Sequence, residues 1–125
     1  MSKFVEIRAY TLKSGSGEEF HRLVVENALP MLAHWQIDVV ACGPSLHDAD
    51  SYYLIRAFSS LEDRQSREDA FYGSDEWRQG HREAVLALIE TYTEVVIQLE
   101  DTTVDGLRKR YPVHPSSRTP LPTAR

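Results

Sequence analysis

The 125 residues carry 14 Lys and Arg against 19 Asp and Glu, a formal charge of −5, and a single cysteine. Such a length suits one domain that buries about two-thirds of its unfolded surface. The acidic balance argues against a phosphate-driven nucleic-acid binder, lone Cys42 excludes an intramolecular disulfide or multi-cysteine zinc site, and no run approaches the roughly 18 apolar residues of a membrane-spanning helix.

The first stretch, Phe4 to Leu12, alternates: Val5, Ile7 and Ala9 are small and apolar, whereas Phe4, Glu6, Arg8, Tyr10 and Leu12 are mixed. Period two predicts a strand. Because it begins almost at the first residue with no apolar signal core before it, the expected location is cytoplasmic. Ser14-Gly15-Ser16-Gly17 breaks the alternation, and Ser14 or Ser16 is placed to cap a helix with Glu18 and Glu19 in its first turn. Phe20, Leu23, Val24, Asn27 and Met31 continue at helical spacing. Pro30 lacks the N–H of that ladder, which predicts a kink or an early end near Leu29. Ile37 to Cys42 returns to strand character, His47 to Asp50 forms a turn, and Tyr52 to Phe58 is the returning strand of a hairpin.

Ser60 followed by Asp63 resembles a capping arrangement and opens a polar helix that Gly73 closes. Ser74 opens a further helix with Trp77, Ala84, Val85 and Leu88 on one face, and Tyr92 to Leu99 is the last strand. The order β-α-β-β-α-β is the ferredoxin-like split βαβ plan, an α+β fold with an antiparallel sheet. A domain is therefore expected over 1–99. Residues 100–125, with Pro112, Pro115, Pro120 and Pro122, are expected as a proline-rich tail or an arm on a neighbouring subunit. Charge changes at the same place, from −7 up to Leu99 to +2 after it.

Helices cover one side of such a sheet. The more uniformly apolar parity, with Val5, Ile7, Ala9, Tyr53, Ile55, Val95 and Ile97, is expected beneath them. The opposite parity gathers Phe4, Glu6, Arg8, Tyr10, Cys42, Tyr52, Leu54, Arg56, Phe58 and Glu94, too apolar for open water. A second copy stacked on it by a two-fold axis would cover it and enclose a central space. A homodimer is the partner this predicts, with no nucleic acid and no membrane.

Buried charges must pair or line a wet cavity. Glu6, Arg8, Tyr52, Arg56 and Glu94 are thus candidates for binding a small molecule, and equally for a structural network. Tyr10 and His34 are the candidates for moving a proton: a phenol beside arginine, and a histidine where the first helix meets the second strand. His34 can equally satisfy helix-end carbonyls, and Tyr10 and Tyr52 can equally pack across a dimer. His47, with Asp48 and Asp50 on a turn, falls short of a metal-ligand set, so no metal is expected. His81 suits packing, His21 an exposed helix face, and Cys42 a small apolar filler. No phosphate loop, Ser-His-Asp spacing or haem-attachment motif is present, so no cofactor is expected.

Val5-Glu6-Ile7-Arg8-Ala9-Tyr10-Thr11-Leu12-Lys13, a Gly-containing turn, and a helix ending Leu29-Pro30-Met31-Leu32 resemble the start of the NIPSNAP family. Tyr53-Leu54-Ile55-Arg56-Ala57-Phe58, Ser60-Leu61-Glu62-Asp63-Arg64 and Phe71-Tyr72-Gly73-Ser74-Asp75-Glu76-Trp77 resemble its second half, so that the likeness covers roughly residues 3–99. Trp35-Gln36 stands where that pattern has a Gly-containing turn. The resemblance implies a dimeric α/β barrel, a superfamily that also holds cofactor-free monooxygenases, polyketide cyclases, lactone isomerases and haem enzymes. It carries no catalytic motif of its own. Two functions stay open: a small-molecule site for a partly aromatic or acidic compound, with cofactor-free proton transfer, cyclisation or oxygenation; or a non-catalytic dimeric interaction module.

Overall fold

In the computed structural model, which describes residues 1–113, four antiparallel strands lie in the order β2-β3-β1-β4. They are β1 (Ser2–Leu12), β2 (Asp38–Pro44), β3 (Ser51–Phe58) and β4 (Ile89–Glu100). Between β1 and β2 run α1 (Gly17–Leu23), a π-helical segment (Val24–Ala28) and α2 (Leu29–His34); between β3 and β4 run α3 (Leu61–Tyr72), a second π-helical segment (Glu76–His81) and α4 (Arg82–Leu86). A last helix, α5 (Asp101–Arg110), follows β4. The element order up to Glu100 is the split βαβ plan read from the sequence. None of the helices among the described residues is long and apolar enough to cross a membrane.

Pro30 does not end the first helical run. The backbone stays helical to His34 because the wide turn of Val24–Ala28 comes just before the proline, which then sits in the first turn of α2, where a missing N–H loses little. Nor do Ser14 and Ser16 cap α1. The Asp50 carboxylate from the β2–β3 hairpin takes that role, accepting from the N–H of Gly15 at 2.9 Å and of Gly17 at 3.0 Å. Ser60 behaves as expected: its Oγ accepts from Asp63 N–H at 2.9 Å while Asp63 Oδ2 accepts from Ser59 N–H at 3.1 Å. Gln36 takes a φ of 60° at the α2–β2 turn, the left-handed conformation that glycine would adopt more cheaply. Its carbonyl accepts from Arg67 Nη1 at 3.1 Å.

The helices cover the face opposite to the one expected. Glu6, Arg8, Tyr10, Tyr52, Leu54, Arg56 and Phe58 are all buried; the alternating partners Ala9, Val95 and Ile97 are exposed, the last two by 52% and 41%. Register aligns Ile55, Ile7 and Val95 across three strands, and Tyr53, Ala9 and Thr93 beside them, on this uncovered side. Only one end of it is sheltered. There Val104 of α5, 2% exposed, packs with Val5, Val40, Ala41 and Ala57, and Leu99 and Leu107 border the cluster.

The tail expectation for 100–125 is corrected by that helix. Although Pro-rich further on, the segment from Asp101 to Arg110 holds Val104 and Leu107 at helical spacing, a narrow apolar stripe that docks on the sheet. Arg108 ties it to β2, donating to Asp38 Oδ1 and Oδ2 at 2.8 and 2.6 Å. Residues 114–125, with Pro115, Pro120 and Pro122, lie outside the described residues.

Candidate functional site

Strand alternation puts Glu6, Arg8 and Tyr10 of β1 on one face, and antiparallel pairing sets Glu6 opposite Arg56 and Arg8 opposite Glu94. From above, α3 lowers Arg64, Glu68 and Tyr72 onto the same charges, residues four apart and hence on one helix face. Arg56, fully buried, donates to Glu6 Oε1 from Nε at 2.9 Å, to Glu68 Oε2 from Nη2 at 3.0 Å and to the Tyr72 hydroxyl from Nη1 at 3.0 Å. Arg64 donates to Glu6 Oε2 at 2.8 Å and to Glu94 Oε2 at 3.2 Å. Arg8 donates to Glu94 Oε1 at 3.0 Å, and its guanidinium lies 5.0 Å from the Tyr92 ring centre and 5.6 Å from that of Tyr72.

Three guanidiniums thus face three carboxylates, but the carboxylates are not equivalent. Burial resists ionisation of Glu6; its hydrogen bond with Glu68 and the Arg56 and Arg8 charges outweigh this and hold it down at about 2. Burial and the same hydrogen bond push Glu68 up to about 7, against Arg56 and Arg64. One proton is therefore shared between two touching carboxyls, as in any close pair that cannot ionise together. While Glu68 keeps it, the cluster carries one net positive charge.

Beside this cluster lies a cavity of about 50 Å³. Its floor is Tyr10, Tyr52, Leu54 and Arg56 of the sheet. Phe20, Val24, Ala28 and Leu32 of the first helical run form one wall, and Phe71, Tyr72 and Trp77 the other. Aromatic rings pack edge to face around it, with Phe20 and Tyr52 centred 5.0 Å apart and Tyr72 and Trp77 5.4 Å apart. The polar groups reaching this apolar space are phenol hydroxyls and one guanidinium. Burial raises the pKa of Tyr10 and, more strongly, of Tyr52, so both are neutral hydrogen-bonding groups near pH 7. The Tyr72 hydroxyl accepts from Arg56 and so keeps its own proton for donation.

Of the residues singled out from sequence, Glu6, Arg8, Tyr10, Tyr52, Arg56 and Glu94 come together on this face, inside one protomer and under the helices rather than in a space between two sheets. His34 stands apart, exposed by 71%, its Nδ1 3.1 Å from Glu76 Oε1, which also accepts from Trp35 Nε1 at 2.7 Å. Arg64, Glu68, Tyr72 and Trp77 were missed. Their signal is the spacing 64-68-72 on a helix without an apolar stripe. His21 is not exposed but half-buried, with Nδ1 2.6 Å from the Tyr52 hydroxyl. Burial pushes the Cys42 thiol up to about 11, which suits a filler. Among the described residues, no three His, Cys, Asp or Glu side chains are grouped to hold a metal ion.

Comparison with solved structures places this architecture. A NIPSNAP family protein from Agrobacterium tumefaciens str. C58 superposes with a TM-score of 0.73 at 20% identity, over 82% of this chain and 90% of that one. A second NIPSNAP family protein of unknown function from the same organism gives 0.71 at 24% identity, over 78% and 88%. A putative antibiotic biosynthesis monooxygenase from Bacteroides thetaiotaomicron VPI-5482 gives 0.60 at 7% identity, over 76% and 87%, a likeness of fold alone. No match was found among curated proteins. The NIPSNAP family model matches residues 5–100, the four strands and the helices between them, and the chain belongs to the NIPSNAP family.

Proposed function

We propose that this protein binds a compact, partly aromatic and weakly acidic molecule in the cavity between sheet and helices, and carries out proton transfer on it without a cofactor, as a step in cyclisation or oxygenation. The observation that carries the reading is the buried Arg56 guanidinium. It is held by Glu6 and Glu68 on one side and donates to the Tyr72 hydroxyl on the cavity wall on the other. A hydroxyl so polarised donates strongly to a ligand oxygen, and its surroundings exclude the water that would screen it. The surplus positive charge of the cluster favours developing negative charge on that oxygen.

The cavity is small against the several hundred Å³ of common ligand sites. A single-ring occupant enters by outward rotation of the half-buried Trp77, with Tyr72 held by Arg56, which limits the substrate class to compact molecules. Melting temperatures against a panel of monocyclic phenols, aromatic acids and aryl ketones test the reading. Rises of several degrees are expected for members that combine a ring with an oxygen acid or carbonyl. A flat response across the panel at millimolar concentration refutes it.

The uncovered sheet face supports the companion proposal of a homodimer. Val95 and Ile97 lie exposed there beside Ile7 and Ile55, which are half-buried at the margin of the α5 cluster, an apolar surface of the kind soluble chains cover with a partner. In this arrangement each protomer keeps its own cavity, and the two sheets meet back to back with respect to the sites. The non-catalytic module reading rests on this face alone. It is favoured if the ligand panel fails and the dimer forms.

A further inference from the structure

We propose that Tyr52 and His21 form a proton relay that carries the hydroxyl proton of a phenolic ligand from the cavity to solvent. This rests on the ligand-binding reading above and assigns the base which that reading lacks. Tyr52 lies on the cavity floor, 2% exposed, and its hydroxyl is 2.6 Å from His21 Nδ1, which links the cavity lining to a histidine. The imidazole is half-buried, so the residue that meets the Tyr52 hydroxyl is also in contact with solvent, and its ring centre lies 5.6 Å from that of Tyr52. A buried phenol whose hydroxyl meets an imidazole at this distance is a matched donor–acceptor pair, and such chains transfer protons in concert.

The step balances within the pair and the ligand. The ligand O–H bond breaks as its proton passes to the Tyr52 oxygen; the Tyr52 O–H bond breaks as its own proton passes to His21 Nδ1. Tyr52 ends as it began, the ligand becomes a phenolate and His21 an imidazolium. His21 then releases one proton to water. Burial lowers His21's hold on a proton, which keeps the ring neutral before the step, able to accept through Nδ1 in the tautomer that carries its proton on Nε2, and speeds release after it. The titratable groups set against Tyr52 are Cys42 from β2, Tyr10 from β1 and its neighbour Tyr53. Each of these is held neutral near pH 7 by burial, so none competes for the proton. The phenolate charge spreads across the ring to an oxygen-bearing substituent, the group that the Tyr72 hydroxyl holds in the binding reading above.

The test uses the full chain and 4-nitrophenol, a single-ring phenol whose absorbance separates its two protonation states. Temperature-jump relaxation of the bound probe, followed by its absorbance, reads how fast it exchanges its proton with solvent. In the wild type this exchange is expected to be at least about tenfold faster than in His21→Gln or Tyr52→Phe. Equal rates in the three proteins, with binding retained, overturn the relay and leave the binding reading standing. Absence of binding in the wild type overturns both. Nitrogen NMR of the unliganded protein supplies a readout independent of any variant's folding. His21 Nδ1 unprotonated at neutral pH supports the relay, and Nδ1 protonated, donating to Tyr52, overturns it.

Discussion

Replacing Glu68 by glutamine should flatten the pH dependence of stability above pH 5. In the folded chain Glu68 holds its proton up to about 7, whereas an unfolded glutamate releases it near 4.5. Between those values the folded state binds the extra proton, so stability declines as pH rises across the window and the loss is complete above it. A rise from 4.5 to about 7, at roughly 1.4 kcal/mol for each tenfold change in proton binding, amounts to about 3 kcal/mol between pH 5 and 8. Glutamine keeps the neutral shape and an N–H for Glu6 but has no proton to lose. Urea denaturation at pH 5, 6, 7 and 8 measures the difference. Glu68→Gln should gain on the wild type steadily, by about 3 kcal/mol at the top of the range. Glu6 contributes with the opposite sign: its lowered pKa stabilises above 4.5, and that contribution is lost as pH falls towards about 2, outside the assay. Parallel curves for the two proteins would refute the shared proton.

Three further outcomes follow from other parts of the molecule. Arg56→Met leaves Glu6 buried with a guanidinium missing, and should lose about 3 kcal/mol or more by denaturant unfolding, against under 1 kcal/mol if the network were only loosely held. Val95→Lys places a charge on the uncovered face, where Val95 is already 52% exposed, so the fold should stand while the proposed dimer weakens at least about tenfold by analytical ultracentrifugation; an unchanged mass at micromolar concentration counts against that face. Gln36→Gly relieves a left-handed residue and should leave the melting temperature level or raise it, by up to about 1 kcal/mol in stability; a clear fall would mean that the Arg67 contacts outweigh the strain.

Much of this is legible from residue order. Period two in β1 and β3 is enough to assemble Glu6, Arg8, Tyr10, Tyr52 and Arg56 on one face, because alternation is fixed by the pleat and not by context. The Ser60–Asp63 capping pair and the odd turn at Trp35–Gln36 are equally local. What escapes is non-local. His21 meets Tyr52 across 31 residues of chain, and Asp50 caps a helix from 33 residues away. No spacing rule reaches such pairs, since each depends on how a helix sits on a sheet. The Asp101–Arg110 helix escapes for a different reason: prolines after it colour the whole segment, while Val104 and Leu107 by themselves make only a thin stripe.

The sense of the sheet, which face is covered, turns on α3 rather than on the strands. Alternation separates two faces but attaches no direction to them, and the richer apolar face invites helices only if the helices are apolar too. Over Leu61–Tyr72 the chain has no apolar stripe before Phe71; Leu61 itself is 56% exposed. What α3 can present along one line is Arg64, Glu68 and Tyr72. Laid on Ile7, Ile55 and Val95, those charges would be buried without partners at several kcal/mol each. Laid on Glu6, Arg8, Arg56 and Glu94 they complete three carboxylate–guanidinium sets, and the polar strand face and the polar helix face solve one another's burial. The apolar face is then left open as a consequence, with α5 covering one end. It follows that charge pairing selects the sheet's orientation here, and that the face left open is greasy because the charged one was already taken inside.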